Sequence, residues 1–307
     1  MSNYPLVSVV IPTYNRASVL SAALESVLAQ TYPATEIVVV DDGSTDETRT
    51  ILNRYADRVR QVTIEHSGSP AVARNVGLRH VTGTYIAFLD SDDYWLPTKL
   101  ARQVAAMEAD PQLALVSTNA FSQFEPAGPL GGLYLAMDER LFNRGLAGLI
   151  QDNFIITSTA LVRRSVLTEI GGFSEQAGLI GCEDYDLWLR LAAWAEIKVI
   201  NEPLAVYRHN TGNSLTATTP APKYLRHRLL ALERVRQATV GPNRPPIPTK
   251  TLIQSIAKFR RSLIMADWHT GHKLASLGSL VHLFWLQPGP TLRWSLQLLT
   301  NRLRRRR

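Results

Sequence analysis

A pair of carboxylates at the end of an apolar run is the strongest chemical signal in the sequence. Asp90 and Asp92, with Ser91 between them, directly follow the apolar stretch 85–89. Two carboxylates this close repel each other unless a proton or a cation compensates them. Mg²⁺ and Mn²⁺ prefer one or two carboxylates together with phosphate oxygens. The triplet therefore predicts a divalent-cation site, and its spacing alone also fits a solvated turn.

A second acidic pair follows another apolar stretch. Asp41 and Asp42 come after residues 36–40 and precede Gly43 and Ser44. Such residues often form turns and cap helices. They also accept hydrogen bonds from the base or ribose of a nucleotide in other nucleotide-binding folds. The residue types alone leave both interpretations open.

Four further residues have side chains that could take part in chemistry. Glu183 and Asp184 stand at the start of a helical pattern over 184–194, where the helix dipole favours carboxylates. The same position suits a general base that takes a proton from an attacking hydroxyl. His209 is either a metal ligand or a surface histidine. Cys182 has no evident histidine neighbour, so we expect a packed residue and not a nucleophile.

The elements that must position these groups alternate between strands and helices. Apolar β-branched runs at 6–11, 36–40 and 85–89 are separated by helical patterns that include 17–30 and 70–80. This alternation predicts an α/β fold with a mostly parallel sheet covered by helices on both faces. Ligands of such sheets bind beyond the carboxyl ends of the strands. Three of these ends carry polar clusters that should meet at one edge: Thr13-Tyr14-Asn15, Asp41-Asp42 and Asp90 to Asp93.

Composition and charge divide the chain into two unlike parts. The chain has 307 residues, 45% of them apolar, which excludes global disorder. Its single cysteine excludes a disulfide scaffold and predicts a cytoplasmic location. Residues 1–218 carry 16 Lys and Arg against 24 Asp and Glu, whereas residues 219–307 carry 17 against 2. The basic C-terminal part is therefore expected to meet a polyanion.

Five segments, taken together, resemble the family 2 glycosyltransferases over residues 6–210. They are 7–16 (VSVVIPTYNR), 40–46 (VDDGSTD), 73–77 (ARNVG), 88–93 (FLDSDD) and 183–188 (EDYDLW). The resemblance implies a GT-A fold, a Rossmann-like sheet with flanking helices. It also implies inverting transfer of a sugar from a nucleotide-diphosphate donor, most often UDP, to an acceptor hydroxyl. The alternative is a catalytically inactive protein of the same fold that binds nucleotide-sugar or is regulatory. All the acidic positions of the family's motifs are occupied here, which argues against this alternative.

The resemblance also implies a role for individual positions. The matches to nucleotide contacts are Pro12, Thr13, Tyr14, Arg16, Asp41, Asp42, Arg74 and Asp90. The expected ligands of a Mn²⁺ or Mg²⁺ ion are Asp92 first, then Asp90 and His209. Asp184 matches the catalytic base, with Glu183 as the second choice, and Trp188 and Arg190 are expected to shape the acceptor pocket.

The sequence predicts a glycosyltransferase domain over 1–215 and a basic amphipathic helical region over 216–307. Helical patterns at 223–238 and 249–269 are followed by an apolar stretch, 274–286, too short to span a bilayer. Interleaved Trp and Arg favour peripheral contact with the cytoplasmic face of a membrane. A carbohydrate or lipid-linked acceptor of cell-surface polysaccharide or glycolipid synthesis would follow. The alternatives that these helices pack on the glycosyltransferase domain or form a homodimer stay open. Binding of nucleic acid is not expected, because no recognisable nucleic-acid-binding motif accompanies the basic residues.

Overall fold

The computed structural model describes residues 4–124, 130–134, 143–209, 219–242 and 244–304. The first seven elements alternate between strand and helix as the sequence predicted. They are Val7–Thr13 (β1), Leu20–Leu28 (α1), Thr35–Asp41 (β2), Thr48–Asn53 (α2), Arg60–Thr63 (β3), Pro70–Leu78 (α3) and Tyr85–Phe88 (β4). In this part β1 pairs in parallel with β2 and β4, and β2 pairs in parallel with β3. Each crossover helix makes the parallel pairing possible.

The second part of the chain completes the sheet with strands of both directions. Its elements are Tyr94–Trp95 (β5), Lys99–Ala109 (α4), Leu113–Phe124 (β6), Leu130–Leu133 (β7), Leu146–Gln151 (α5), Leu161–Arg163 (β8), Arg164–Ile170 (α6), Glu183–Trp194 (α7) and Glu196–His209 (β9). The strand order is β3-β2-β1-β4-β8-β6-β9-β5, with β7 paired to β6. The antiparallel strand β8 lies between β4 and β6, and β6 pairs in parallel with β9.

Six of the nine strands in the described ranges therefore point the same way, which confirms a mostly parallel sheet. Their carboxyl ends share one edge. Because β8 runs in the opposite direction, the segment just before it reaches that same edge. This segment includes the 3₁₀ turn Thr157–Thr159. The reversal of one short strand thus adds polar groups to the edge that β1, β2 and β4 already share.

The core lies on both faces of the sheet. Val9 and Val10 are neighbours in β1, yet they belong to different apolar clusters because successive strand side chains point to opposite faces. Both residues are fully buried. Burial of both faces explains why the strands read as continuous apolar runs instead of alternating ones.

The C-terminal region forms four helices, and the first two extend the core of the body. The helices are Ala221–Val235 (α8), Thr249–His269 (α9), Lys273–Leu286 (α10) and Pro288–Arg304 (α11). Leu232 of α8 and Leu263 of α9 belong to the same apolar cluster as Trp188 of α7. Arg234 of α8 also donates to the buried carboxylate of Asp186 across 2.8 Å. The boundary predicted at residue 215 lies outside the described residues, and the core continues beyond it.

None of the helices in the described ranges has both the length and the apolar character needed to cross a membrane.

A leucine substitution can test whether α8 is part of the cooperative core. Leu232 is fully buried, so Leu232→Ala should lower the free energy of unfolding by about 2–5 kcal/mol. Leu274 in α10 is 85% exposed, and the control Leu274→Ala should change it by less than about 0.5 kcal/mol. Urea unfolding followed by tryptophan fluorescence would measure both. A separate transition that alone responds to Leu232→Ala would contradict a shared core.

Candidate active site

Arg74 connects two acidic segments at the carboxyl edge of the sheet. Its Nη2 donates to Asp90 Oδ1 across 2.7 Å, and its Nη1 donates to Glu183 Oε1 across 2.9 Å. The guanidinium is almost fully buried. Burial alone would lower the pKa of Arg74, but the carboxylates of Asp90 and Glu183 outweigh it and raise that pKa. Arg74 is therefore a permanent cation that joins the end of β4 to the start of α7.

A serine from the segment before β8 holds the acidic loop after β4. The backbone N–H of Asp90 donates to Ser158 Oγ across 3.1 Å, and the same hydroxyl donates to Asp93 Oδ2 across 2.5 Å. The N–H of Arg208 in β9 donates to the other oxygen of Asp93. Asp93 is buried, and that burial, followed by the charges of Asp92 and Asp90, raises its pKa well above the usual range. The sequence reasoning assigned no separate role to Ser158 or Asp93, which fix the loop from inside.

Asp92 occupies an electrostatic environment that fits a cation. Burial and then the neighbouring Asp90 raise the pKa of Asp92, while the charge of Arg16 lowers it. Arg16 Nη2 lies 3.6 Å from Asp92 Oδ2. Within the ranges that the structure describes, no three His, Cys, Asp or Glu residues form a metal-binding group. A cation at this loop would therefore be held by one or two carboxylates and by oxygens of a ligand, as Mg²⁺ and Mn²⁺ prefer.

His209 lies at the margin of this loop, in aromatic surroundings. Its Nε2 is 3.2 Å from Ser122 Oγ, and its ring stacks on Phe124 with 4.4 Å between the ring centres. Burial lowers the pKa of His209. The histidine follows Arg208, whose backbone binds Asp93, but its contacts in the described part of the chain include neither Asp90 nor Asp92. A metal-ligand role for His209 stays a prediction.

Asp184 and Glu183 are adjacent in sequence but have different environments. Asp184 Oδ1 accepts a hydrogen bond from the N–H of Tyr185 across 2.7 Å, and its Oδ2 accepts one from Thr157 Oγ1 across 3.2 Å. Burial and then the charge of Glu183 raise the pKa of Asp184 to about 7, against the opposing effect of Arg74. Glu183 instead binds Arg74 and the N–H of Gly181. Asp184 is thus the carboxylate whose pKa suits proton transfer near neutral pH.

Trp188 and Arg190, which were expected to shape an acceptor pocket, have structural partners, and that role stays a prediction. Trp188 is fully buried, with the rings of Phe88 and Phe173 6.3 and 6.2 Å from its own. Arg190 donates to Asp186 across 2.9 Å, and its other N–H groups bind the backbone carbonyls of residues 170–172. Helix α7 begins at the edge of the sheet where the site lies. Within about one turn its side chains are buried among apolar residues such as Phe88 and Phe173, so its later residues pack in the core.

The two acidic residues after β2 organise the neighbouring loops. Asp42 accepts hydrogen bonds from the N–H groups of Ser67 and Gly68, across 2.8 and 3.1 Å, and its Oδ2 lies 3.1 Å from Nδ1 of His66. Asp41 accepts from the N–H of Ser44 across 3.0 Å. Both carboxylates are buried. They therefore have structural partners, and contact with a nucleotide stays a prediction.

The loop after β1 presents an aromatic surface beside these acids. Pro12 and Thr13 end the strand opposite Val40 and Asp41. The next residue, Tyr14, is exposed, and its ring stacks on His66 at 4.0 Å. Two stacked rings at a sheet edge offer a surface on which a flat base could stack.

Asn15, which the sequence placed in the polar cluster after β1 without a role of its own, connects the loops after β1 and β2. Its φ of 51° lies in the left-handed region, which asparagine tolerates better than most residues. The side-chain Oδ1 of Asn15 accepts a hydrogen bond from the backbone N–H of Thr45 across 2.8 Å. The backbone N–H of Asn15 donates to Ser44 Oγ across 2.9 Å. A polar residue directly after Thr-Tyr was the available signal for this role.

Helix α8 supports the segment that leads into Asp184. His227 Nδ1 binds the carbonyl of Ile180 across 2.7 Å. Arg228 pairs with Asp152 and lies over the ring of Tyr185, 5.1 Å from its centre. The C-terminal region therefore helps to position residues 180–185, a role that the sequence reasoning did not assign to it.

Comparison with known proteins identifies the family of this chain. The sequence model described as "Glycosyl transferase family 2" matches residues 8–171, which is more than half of the chain. The chain belongs to glycosyl transferase family 2. It is a glycosyltransferase, as the resemblance implied.

Two of the curated proteins that are similar to this chain come from Escherichia coli. Both are named UDP-Glc:alpha-D-GlcNAc-diphosphoundecaprenol beta-1,3-glucosyltransferase. WfgD is 32% identical over 66% of this chain and 75% of its own length. WfaP is 34% identical over 68% of this chain and 79% of its own length.

Solved structures of transferases show the GT-A fold for this chain. TarS residues 1–349 of S. aureus, in complex with UDP, has a TM-score of 0.61 and 22% identity, covering 83% of this chain and 70% of that one. The mannosyltransferase PcManGT from Pyrobaculum calidifontis, in complex with GDP-Man and Mn²⁺, has a TM-score of 0.60 and 21% identity. That comparison covers 98% of this chain and 81% of PcManGT.

The ion pair between Arg74 and Glu183 can be tested by removing one partner and then both. Arg74→Met should lower the free energy of unfolding by about 3–5 kcal/mol, because it leaves the buried carboxylate of Glu183 uncompensated. Glu183→Gln in the same chain should restore much of this loss. Urea unfolding at pH 7 would measure each variant.

The matched control is Arg102→Met, which breaks an ion pair with Glu202 that is exposed on both sides. This change should cost less than about 1 kcal/mol. An equally small cost for Arg74→Met would show that the buried pair does not hold the site together.

Proposed function

We propose that this glycosyltransferase transfers a sugar from a UDP-sugar to the hydroxyl of a lipid-linked acceptor, with inversion at the anomeric carbon, in cell-surface polysaccharide synthesis. The observation that carries the proposal is the contrast between two carboxylate groups on either side of Arg74. Asp90 and Asp92 form the group that suits a cation and a diphosphate. Asp184, on the other side of Arg74, combines a pKa of about 7 with a place at the sheet edge.

The base acts in a single displacement. Asp184 takes the proton of the acceptor hydroxyl while the acceptor oxygen forms its bond to the anomeric carbon. The bond between that carbon and the diphosphate oxygen breaks, and its electron pair leaves with the nucleoside diphosphate. Because attack and departure occur on opposite faces, the configuration inverts, and no covalent intermediate with the enzyme is needed. The proton on Asp184 is then released to water.

Positive charge must compensate the departing diphosphate. A Mn²⁺ or Mg²⁺ ion held by Asp92 and Asp90 would neutralise the charge that develops on the leaving group. Arg16 lies beside Asp92, and the charge of Arg208 lowers the pKa of Asp92, so both arginines are near the same loop. They would hold the diphosphate oxygens at the mouth of the site. The permanent cation of Arg74 holds the carboxylate of Asp90 in place through their ion pair.

The donor and acceptor classes are supported by the names of the relatives. WfgD and WfaP are named for UDP-Glc and for an acceptor on diphosphoundecaprenol. The TarS structure holds UDP, whereas PcManGT holds GDP-Man with Mn²⁺. We accordingly assign this chain a UDP-sugar and an acceptor carried on a polyprenyl diphosphate, reached by peripheral contact with the cytoplasmic face of the membrane.

Nucleotide titration tests the donor site without the acceptor. Calorimetry with UDP, GDP and dTDP, each with Mn²⁺ and with EDTA, should show binding of UDP that is at least tenfold tighter with Mn²⁺. Asp92→Asn should remove most of this metal-dependent gain because it removes a charged ligand. Asp57→Asn, on the exposed surface, is the matched control. Equal UDP affinity with Mn²⁺ and with EDTA would refute the metal site.

The pH dependence of turnover tests the base. Since only ionised Asp184 accepts a proton, turnover should fall about tenfold for each pH unit below 7 and level off above it. Asp184→Asn should lose about 10²–10⁴-fold in turnover and keep its UDP affinity. Transfer of labelled sugar from UDP-sugar to extracted lipid-linked acceptor would measure both. A flat profile between pH 5 and 8, or full activity of Asp184→Asn, would exclude Asp184.

The same pKa makes a prediction about stability. The pKa of Asp184 rises from its ordinary value of 3.8 to about 7 on folding, so ionisation opposes the folded state and stability falls as pH rises through this window. Asp184→Asn should therefore raise the free energy of unfolding relative to the parent at pH 8 and have little effect at pH 4. Urea unfolding at both pH values would measure the difference. A loss of stability at pH 8 would contradict the raised pKa.

A further inference from the structure

The solvent-facing side of α10 is apolar. Leu274, Leu277, Val281 and Trp285, which we name the outer stripe, are 85%, 53%, 60% and 86% exposed. Their spacing of three, four and four residues places them on one face of the helix. The other face already has partners, since Ser276 Oγ donates to the carbonyl of Ile264.

This arrangement departs from the usual pattern of a surface helix. A helix that packs on a globular core normally turns its polar residues towards water. In α10, the inward face contains Ser276 and Leu283, and Leu283 packs with Ala257 and Ile264 of α9. Each large apolar side chain left in water forgoes about 1.5–3 kcal/mol of burial free energy. A contiguous apolar patch of this kind marks an interaction surface.

The charge around the outer stripe indicates what it binds. Residues 268–307 contain seven Lys and Arg and no Asp or Glu. Lys273 and Arg293 are exposed near the two ends of α10, and residues 305–307, all arginine, lie outside the described residues. The two acidic residues after 218 are Glu233, paired with Arg260, and Asp267, paired with Arg226. An apolar strip with cationic flanks complements the acyl chains and phosphates of an anionic bilayer.

We propose that the outer stripe of α10 docks into the surface of an anionic phospholipid membrane, with the helix axis in the plane of the interface. Its 14 residues extend about 21 Å, which suits a helix that lies on a membrane better than one that crosses it. Trp285 at its carboxyl end is the residue type that prefers the level of the headgroups. A second copy of the chain would bring two strongly cationic surfaces together, whereas anionic lipid neutralises them.

This surface adds a binding mode to the proposed function, because a polyprenyl-linked acceptor is confined to the bilayer. The docking itself requires no nucleotide, metal or acceptor. Membrane binding and donor binding can therefore be measured separately on the same full-length protein. A protein that floats with vesicles but binds no nucleotide would keep this inference and refute the proposed transferase site.

Flotation with lipid vesicles tests the docking. Full-length protein should float with vesicles of phosphatidylcholine and phosphatidylglycerol at 7:3, and at least tenfold less of it should float with phosphatidylcholine alone. The double variant Leu277→Ser/Trp285→Ser should lose at least tenfold in the floating fraction. Tyr4→Ser, which changes an apolar residue 53% exposed at the other end of the chain, should float like the parent. Circular dichroism and UDP titration would show that each variant is folded.

Three outcomes would overturn the proposal. The first is parent protein that stays at the bottom of the gradient with the anionic vesicles. The second is a double variant that floats as well as the parent, which would place membrane contact on another surface. The third is a dimer, seen by sedimentation velocity without lipid, that the double variant dissociates while the parent fails to float. That result would make the outer stripe a contact between two copies.

Discussion

The buried guanidinium of Arg74 is the interaction on which the rest of the site depends. It contacts Asp90 at the end of β4 and Glu183 at the start of α7, so one cation compensates acidic groups from two distant parts of the chain. Without it, carboxylates in a poorly solvated space would repel each other or take up protons. The charge of Arg74 also opposes the rise in the pKa of Asp184, which is about 7. The same residue therefore fixes the loop that carries Asp90 relative to the start of α7.

The sheet and its polar edge could be predicted because they depend on local patterns. β-Branched runs ending in Thr13, Asp41 and Asp90 required parallel strands buried on both faces, and these are the strands observed. The loop bonds could not be predicted in the same way. Ser158 lies 65 residues from Asp93, and only the antiparallel insertion of β8 brings them together. No periodicity in the sequence reports a strand that reverses direction.

Sequence patterns describe each segment separately and do not show how deeply it is buried. Trp188 follows Asp184 by one helical turn, yet it lies in the core because rings such as that of Phe173 cover it. The basic composition after residue 218 suggested a separate region and left packing on the body open. Leu232 and Leu263 show that apolar residues spaced among the arginines are enough to join two helices to the body.

The distance along the chain between Arg74 and Glu183 has a consequence for biosynthesis. These partners are 109 residues apart, and β8, α7 and β9 must all be made before the acidic loop has its full set of bonds. A nascent chain that ends just after Asp93 contains the whole acidic loop, yet it lacks the serine and the arginine N–H that order this loop. The loop can therefore reach its bonded form only after most of the polypeptide has been made on the ribosome.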